Sequence, residues 1–419
     1  VRILVVSNLY PPVAFGGYEV ECAGVVGRLS EKHDVLVLTS DSAEAAPLPQ
    51  VRRELALLSP DERGALRAPA AALRAVGAAR SALEWGPDLI YVWNGSSIPQ
   101  AALRVLADSG LPLAFRVCEH WFGGLFTGDQ FLRELLPERR SPARAAWSVG
   151  CRALNGVPRL RLRPTARFRA AISWNAHALQ RMVATPAFID VALERVGHSV
   201  PRYGDLYAAA ERAPAAEPEI AFLGRVTPYK GLDVAIEALA LLRAQRFPQA
   251  RLAVVGPEDE RHGAELRALA ERLGVAGAIT WRGQQPSEQA AAALARAHAL
   301  IVPSVWDEPF PLVTIEGALA RVPLVASDVG GIGEGMHHEQ HALLFARRDA
   351  AGAAGALARV LDPANAAETQ ARVERAYERA QDFRIGPYLD AQERFALDAH
   401  AALSAASDGR ARAAPVSAT

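Results

Sequence analysis

Short runs of Val, Ile and Leu recur along this chain and alternate with longer Ala/Leu/Arg-rich stretches of helical period. Runs that are apolar throughout, rather than at every second residue, suit parallel strands covered by helices on both faces, so the chain reads as α/β. In the first half the runs fall at residues 3–7, 34–40, 88–93, 113–117 and 170–174; in the second they fall at 219–224, 251–256, 278–283, 299–304 and 323–328. One architecture is therefore written twice. Between the halves, residues 201–219 replace the strand pattern with Pro, Gly, Ala and charge, the composition of a linker. The expected division is a first domain over 1–205, a linker over 206–218 and a second domain over 219–390. A terminal helix over 391–405 is expected to pack back on the first domain, and a Gly/Pro/Ser/Ala tail over 406–419 to be disordered.

Charge and cysteine content narrow the function. Across 419 residues, 46 Lys+Arg balance 46 Asp+Glu, which argues against a nucleic-acid binder working through a globally basic surface. Cys22, Cys118 and Cys151 are too few for a disulfide framework and lack zinc spacing, so a reducing cytoplasm fits. The opening VRILVVSNLYPP reads as a buried strand rather than a leader peptide. Charges interrupt every apolar stretch well short of the roughly 20 residues a membrane helix needs, which leaves only peripheral attachment, at the inner membrane face, open. Only Lys32 and Lys230 are lysines. In so Arg-rich a chain, a lysine inside a glycine-flanked turn raises the question of whether a compact ammonium is needed there.

Three segments carry candidate chemistry. In SVWDEPFPLVTIEGALARVPLVASDVGGIGE (304–334), Glu308 and Glu316 have seven residues between them, with Pro311 near an expected helix start. First-turn N–H groups there would offer an anion site, and two separated carboxylates suit the hydroxyl donors of a sugar. Solvated carboxylates at a helix start are the plain alternative. In FLGRVTPYKGLD (222–233), Arg225 and Lys230 bracket a strand-to-helix turn, as a diphosphate site requires. In NLYPPVAFGGYEVECAG (8–24), Gly16 and Gly17 lie between the first strand and a helix, where missing Cβ atoms let backbone amides approach a phosphate.

Together these segments resemble the retaining glycosyltransferases of the GT-B fold, family four, from about residue 1 to residue 390. The resemblance implies two Rossmann-like domains with the ligand in a cleft between them. It implies that Glu308 binds donor-sugar hydroxyls and Glu316 the ribose, that Arg225 and Lys230 bind the donor diphosphate, and that Gly16 and Gly17 reach it from the opposite domain. It assigns backbone at Leu312 and Val313 to the sugar phosphate, and Gly256 and Gly283, the latter in RGQQ (282–285), to the neighbourhood of the base. The family's His-Asp pair is replaced here by RVCEHWFGG (116–124), where either Cys118 or His120 can take the histidine's place. His120 is favoured, because a thiol poorly replaces an imidazole that hydrogen-bonds a hydroxyl. Gly333 of GGIGE stands where many relatives carry proline.

The expected reaction transfers a sugar from a nucleoside diphosphate donor to an acceptor hydroxyl with retention, in polysaccharide, glycolipid or natural-product glycoside synthesis. No metal or other cofactor is expected, since no Asp-x-Asp occurs and two cations already face the diphosphate. Rival readings are a nucleotide-sugar epimerase, a phosphorylase or a non-catalytic scaffold of the same fold. A dinucleotide oxidoreductase lacks its G-x-G-x-x-G after the first strand. Residues 131–170 hold ten arginines against Glu134 and Glu138. That concentration is either a solvated surface or a contact with an anionic or membrane-associated acceptor.

Overall fold

The computed structural model describes residues 1–13, 16–41, 48–58, 67–125 and 164–412, with backbone only for 67–69 and 406–412. Of the ten arginines in 131–170, only Arg167 and Arg169 fall within the described residues. The chain forms two compact units: the first is Val1–Asn175, Leu179–Gly197 and Leu389–Thr419, the second Ala176–Ala178 and His198–Tyr388.

The first unit contains β1 (Arg2–Ser7), α1 (Gly17–Ser30), β2 (Asp34–Ser40), β3 (Val51–Leu55), α2 (Arg67–Glu84), β4 (Leu89–Asn94), α3 (Gln100–Ala107), β5 (Leu113–Val117), β6 (Phe168–Trp174) and β7 (Ile189–Val196); the last two strands are joined by α4 (His177–Met182), whose first two residues fall in the second unit. Its seven strands run in the order β3-β2-β1-β4-β5-β6-β7, all pairs parallel, Ile3 lying opposite Val35 on one side and Leu89 on the other. Inside it, the fully buried Arg116 of β5 pairs with Glu21 of α1 at 2.8 Å and also donates to Ser173 Oγ and the Trp174 carbonyl. A buried guanidinium is tolerable only with such partners.

The second unit contains α5 (Gly204–Ala209), β8 (Glu219–Leu223), α6 (Leu232–Gln245), β9 (Arg251–Val255), α7 (Glu260–Arg272), β10 (Ile279–Gly283), α8 (Ser287–Arg296), β11 (Ala299–Val302), α9 (Leu312–Leu319), β12 (Leu324–Ser327), α10 (Ile332–Gly335), β13 (Leu343–Phe345), α11 (Ala350–Leu361), α12 (Ala366–Ala380) and the start of α13 (Ile385–Arg412). Its parallel sheet has the order β10-β9-β8-β11-β12-β13, and Ile220, Phe222, Ile236, Leu239, Leu252 and Ile301 are among its buried core. Winding from β8 proceeds first toward β10 and then, from β11, the other way. Connections leaving β8 and β11 therefore diverge, and the opening beyond their carboxyl ends is where ligands bind in open α/β sheets.

The boundaries differ from those expected in three places. The units divide at Gly197/His198 rather than at a linker beginning at 206. Residues 206–209 belong to a helix that buries Tyr207, and Arg212 donates to the carbonyls of Leu294, Ala295 and Ala297. These carbonyls lie in and just after the last turn of α8, where intrahelical donors run out, so the stretch is fastened to the second unit. At the other end, α13 continues to Arg412, into the stretch expected to be a tail, while residues 413–419 lie outside the described residues. Beyond Leu389 it belongs to the first unit, held there by Glu393 against Lys32 at 2.9 Å and Arg28 at 3.3 Å and by Gln392 against the Tyr91 hydroxyl.

Candidate functional site

The two connections leaving the switch point of the second sheet bring the expected residues together. Lys230 ends a short 3-10 turn after β8, and Gly231 follows it in the left-handed region at φ 71°, where an added Cβ would lie 1.9 Å from the Pro303 carbonyl. Only glycine lets the β8 turn approach the β11 loop this closely. Across that contact the Lys230 ammonium meets Glu308 Oε1 at 2.6 Å, and Ser304 Oγ donates to the same oxygen at 2.5 Å. Glu308 is 3% exposed. Its carboxylate is thus oriented by a cation and a hydroxyl, and its backbone is seated on the Gly330–Gly331 turn. The Gly331 N–H donates to the Glu308 carbonyl at 2.7 Å, and at Gly330, φ 54°, a Cβ would stand 2.1 Å from that carbonyl oxygen.

Arg225 projects from the same turn as Lys230, exposed and with no side-chain hydrogen bond or ion pair among the described residues. Leu312 and Val313, both half-buried, open α9 behind Pro311; their N–H groups lie in the first turn, which has no intrahelical acceptors. Glu316 follows on that helix. Its carboxylate has no hydrogen bond or ion pair among the described residues, and although the residue keeps some exposed surface, burial pushes its pKa up from 4.5 to about 7. An ionised carboxylate shielded from water and without donors is unfavourable, so the neutral form gains. The hydroxyl of Tyr207, on α5 packed beside α9, is pushed up as well, by burial first and by Glu316 second. Gly256 directly follows β9 and Gly283 ends the neighbouring β10, the two joined by a Gly256 N–H to Gly283 carbonyl bond of 2.8 Å.

In the first unit, Gly16 and Gly17 are exposed at the start of α1. The Gly16 amide donates to Glu19 Oε2 at 3.0 Å, a capping contact within the helix's own first turn. Arg53 of β3 holds the preceding loop by donating to the carbonyls of Tyr10 and Pro11. Of the two candidates after β5, His120 is exposed at the head of a 3-10 turn, whereas Cys118 is buried, its N–H donating to the Tyr18 hydroxyl. Of the two, only His120 has an exposed side chain.

Sequence reasoning missed Ser304, Tyr207, Arg53 and Glu334. Ser304 stands four residues before Glu308 in the quoted segment, and its signal is the need of a buried carboxylate for donors. Glu334 is the last residue of GGIGE. It accepts from the backbone N–H groups of His177 and Ala178 at 2.8 Å each and from His198 Nε2 at 2.7 Å. Burial alone would raise its pKa, yet these hydrogen bonds hold it below the ordinary carboxylate value. Among the described residues, no three His, Cys, Asp or Glu side chains are grouped to hold a metal ion, and no helix is long and apolar enough to cross a membrane.

Two Rossmann-like parallel-sheet units of this order define the GT-B fold, and solved structures share it across nearly the whole chain. Sucrose-phosphate synthase from Thermosynechococcus elongatus superposes with a TM-score of 0.69 at 21% identity, covering 96% of this chain and 99% of that one. The Anabaena HepE protein in complex with UDP-glucose gives 0.66 at 20% identity, over 95% and 99%. Residues 206–379 match the family glycosyl transferases group 1; the protein therefore carries a group 1 glycosyltransferase domain, consistent with family four. Glycogen synthase of Mycobacterium tuberculosis is 34% identical over 190 residues, 45% of this chain and 44% of that protein. D-inositol 3-phosphate glycosyltransferase of Segniliparus rotundus is 39% identical over 164 residues, 37% of this chain and 35% of that one. The matched stretch spans less than half the length of these curated relatives.

Proposed function

We propose that the protein is a retaining glycosyltransferase that moves a sugar from a nucleoside diphosphate sugar to an acceptor hydroxyl. The observation that carries this reading is the Lys230–Glu308–Ser304 cluster at the switch point of a group 1 domain. In this reading the cation serves the diphosphate and the fixed carboxylate beside it accepts from sugar hydroxyls. Arg225 and Lys230 bind the diphosphate, the first-turn amides at Leu312 and Val313 the phosphate next to the sugar, Glu308 the sugar and Glu316 the ribose, while backbone at Gly256 and Gly283 borders the base. From the first unit, His120 is assigned to the reacting carbon and the amides of Gly16 and Gly17 to the diphosphate, the Gly16 amide after Glu19 releases it.

No side chain here serves as a nucleophile. Attack by the acceptor oxygen on the face the diphosphate leaves forms the new C–O bond as the old one breaks, and the departing phosphate oxygen takes the acceptor's proton. The rate then rests on positioning and on stabilising the charge that develops on the leaving phosphate. Arg225, Lys230 and the dipole of α9 supply that positive potential, and the reading uses no metal. UDP-glucose is the first donor to try, since the Anabaena relative in fold was solved with it. The acceptor is a polysaccharide, glycolipid or natural-product glycoside precursor with a free hydroxyl, assigned to the first unit. A panel of UDP-, GDP- and ADP-sugars read by thermal shift identifies the donor, because a bound ligand raises the melting temperature by mass action. NMR of the product's anomeric carbon tests retention. Stabilisation by none of the panel, or an inverted product, refutes the reading.

A further inference from the structure

We propose that Glu334 is a positioning residue for Glu308, holding the loop that presents the sugar-binding carboxylate; the inference rests on the reading of Glu308 given above. Two paths run from one to the other. The first is backbone. The Gly330–Gly331 turn abuts Glu308 with no room for a Cβ and donates to its carbonyl, and Glu334 follows in α10, which that turn opens. The second is aromatic. Phe310, two residues after Glu308, packs on His198 at 4.9 Å and on Phe383 at 5.4 Å, and His198 donates to Glu334. Arg379 closes the group, stacked 4.9 Å over Phe383 and donating to the carbonyls of Glu334 and Gly335.

The carboxylate has a task that an apolar residue could not perform. His177 and Ala178 open α4, and first-turn N–H groups lack intrahelical acceptors, so an anion there is favoured both as acceptor and by the helix dipole. Oε1 serves His177 and His198, and Oε2 serves Ala178. In Glu334→Gln, one of these oxygens becomes an amide nitrogen facing a donor. The chain enters the second unit at Ala176 and again at His198. Both entry points are thus fastened to the one side chain that also anchors the Glu308 turn and, through His198, the Phe310 ring.

The test uses the full chain and the donor found by the panel. In Glu334→Gln, affinity for the free nucleoside diphosphate, measured by calorimetry, is expected to stay within about twofold. The additional affinity for the nucleotide sugar should be lost and kcat should fall by about tenfold or more, because only the interaction with the sugar is misplaced. His198→Phe keeps a ring between Phe310 and Phe383 while removing the bond to Glu334. It should show the same split to a smaller degree, and it decides the matter if Glu334→Gln does not fold. Glu339→Gln, which loses a surface pair with Arg359, should leave kcat unchanged. Wild-type kcat and sugar discrimination in both Glu334→Gln and His198→Phe, or equal losses for diphosphate and nucleotide sugar, overturns the proposal while leaving the functional reading intact. A wild-type chain that binds no nucleotide sugar overturns both.

Discussion

Glu316 should make the ligand-free protein less stable at neutral pH than it need be, and replacing it with Gln should reveal by how much. A carboxyl that titrates near 7 when folded and near 4.5 in its ordinary state keeps its proton in the folded chain over a range where the unfolded chain has released it. The folded state therefore holds more protons between these values, and stability falls as pH rises from about 4.5 to about 7, then levels off. The full difference corresponds to about 3 kcal/mol. Gln is nearly isosteric with the neutral acid and does not titrate. Glu316→Gln should thus match the wild type near pH 4.5 and exceed it by up to about 3 kcal/mol at pH 8, which in a domain of this size is roughly 6–12 °C in melting temperature. Thermal melts of both proteins at pH 5, 6, 7 and 8 provide the measurement, with calorimetry of nucleoside diphosphate at pH 8 alongside. The variant should bind nucleotide much more weakly while melting higher, a trade typical of functional sites. A melting difference that does not grow with pH, or that favours the wild type at pH 8, refutes the reasoning.

Lys230→Ala should weaken nucleoside diphosphate binding by about 10- to 100-fold and leave nucleoside binding nearly unchanged; equal losses in calorimetry would count against a phosphate role. His120→Ala should lower kcat with donor affinity preserved, whereas Cys118→Ala should act mainly on stability; kinetics and melts of the two variants separate the candidates. Gly330→Ala must push a methyl group into the Glu308 carbonyl and should destabilise the chain by about 1–3 kcal/mol, measurable by urea unfolding, or lose turnover as Glu308 shifts. If residues 131–170 meet an anionic acceptor, the acceptor KM should rise with salt and Arg139→Ser/Arg140→Ser should flatten that rise; a flat dependence in both proteins would remove the idea.

What the sequence disclosed, and what it hid, follows from burial. All ten apolar runs are strands, and among the described residues the three strands that no run marked are β3, β7 and β13, each at a sheet edge. β3 reads VRREL and β7 reads IDVALERV, both with charged and half-exposed positions. Edge strands carry such charges because they must not recruit a further strand, so the pattern that identifies a buried strand is missing where it would be a liability. β13 has three residues, too few for any period.

The same logic separates the two lysines. Both stood out against 44 arginines, yet Lys32 lies on the surface, 58% exposed, pinning Glu393 of α13, whereas Lys230 is drawn into contact with a nearly buried carboxylate. Spacing alone could not distinguish them, because the partners are 361 and 78 residues away in sequence. The glycine after Lys230 is the sequence's clue. A left-handed glycine there permits a close approach of other backbone, and the piece that comes within contact distance, at Pro303, leads within five residues to Glu308. Glu334 had no comparable signal, since two of its three partners are backbone amides, and an amide is the same whatever residue supplies it. Where a side chain recognises main chain, as at the start of α4, only the folded chain reveals the pairing.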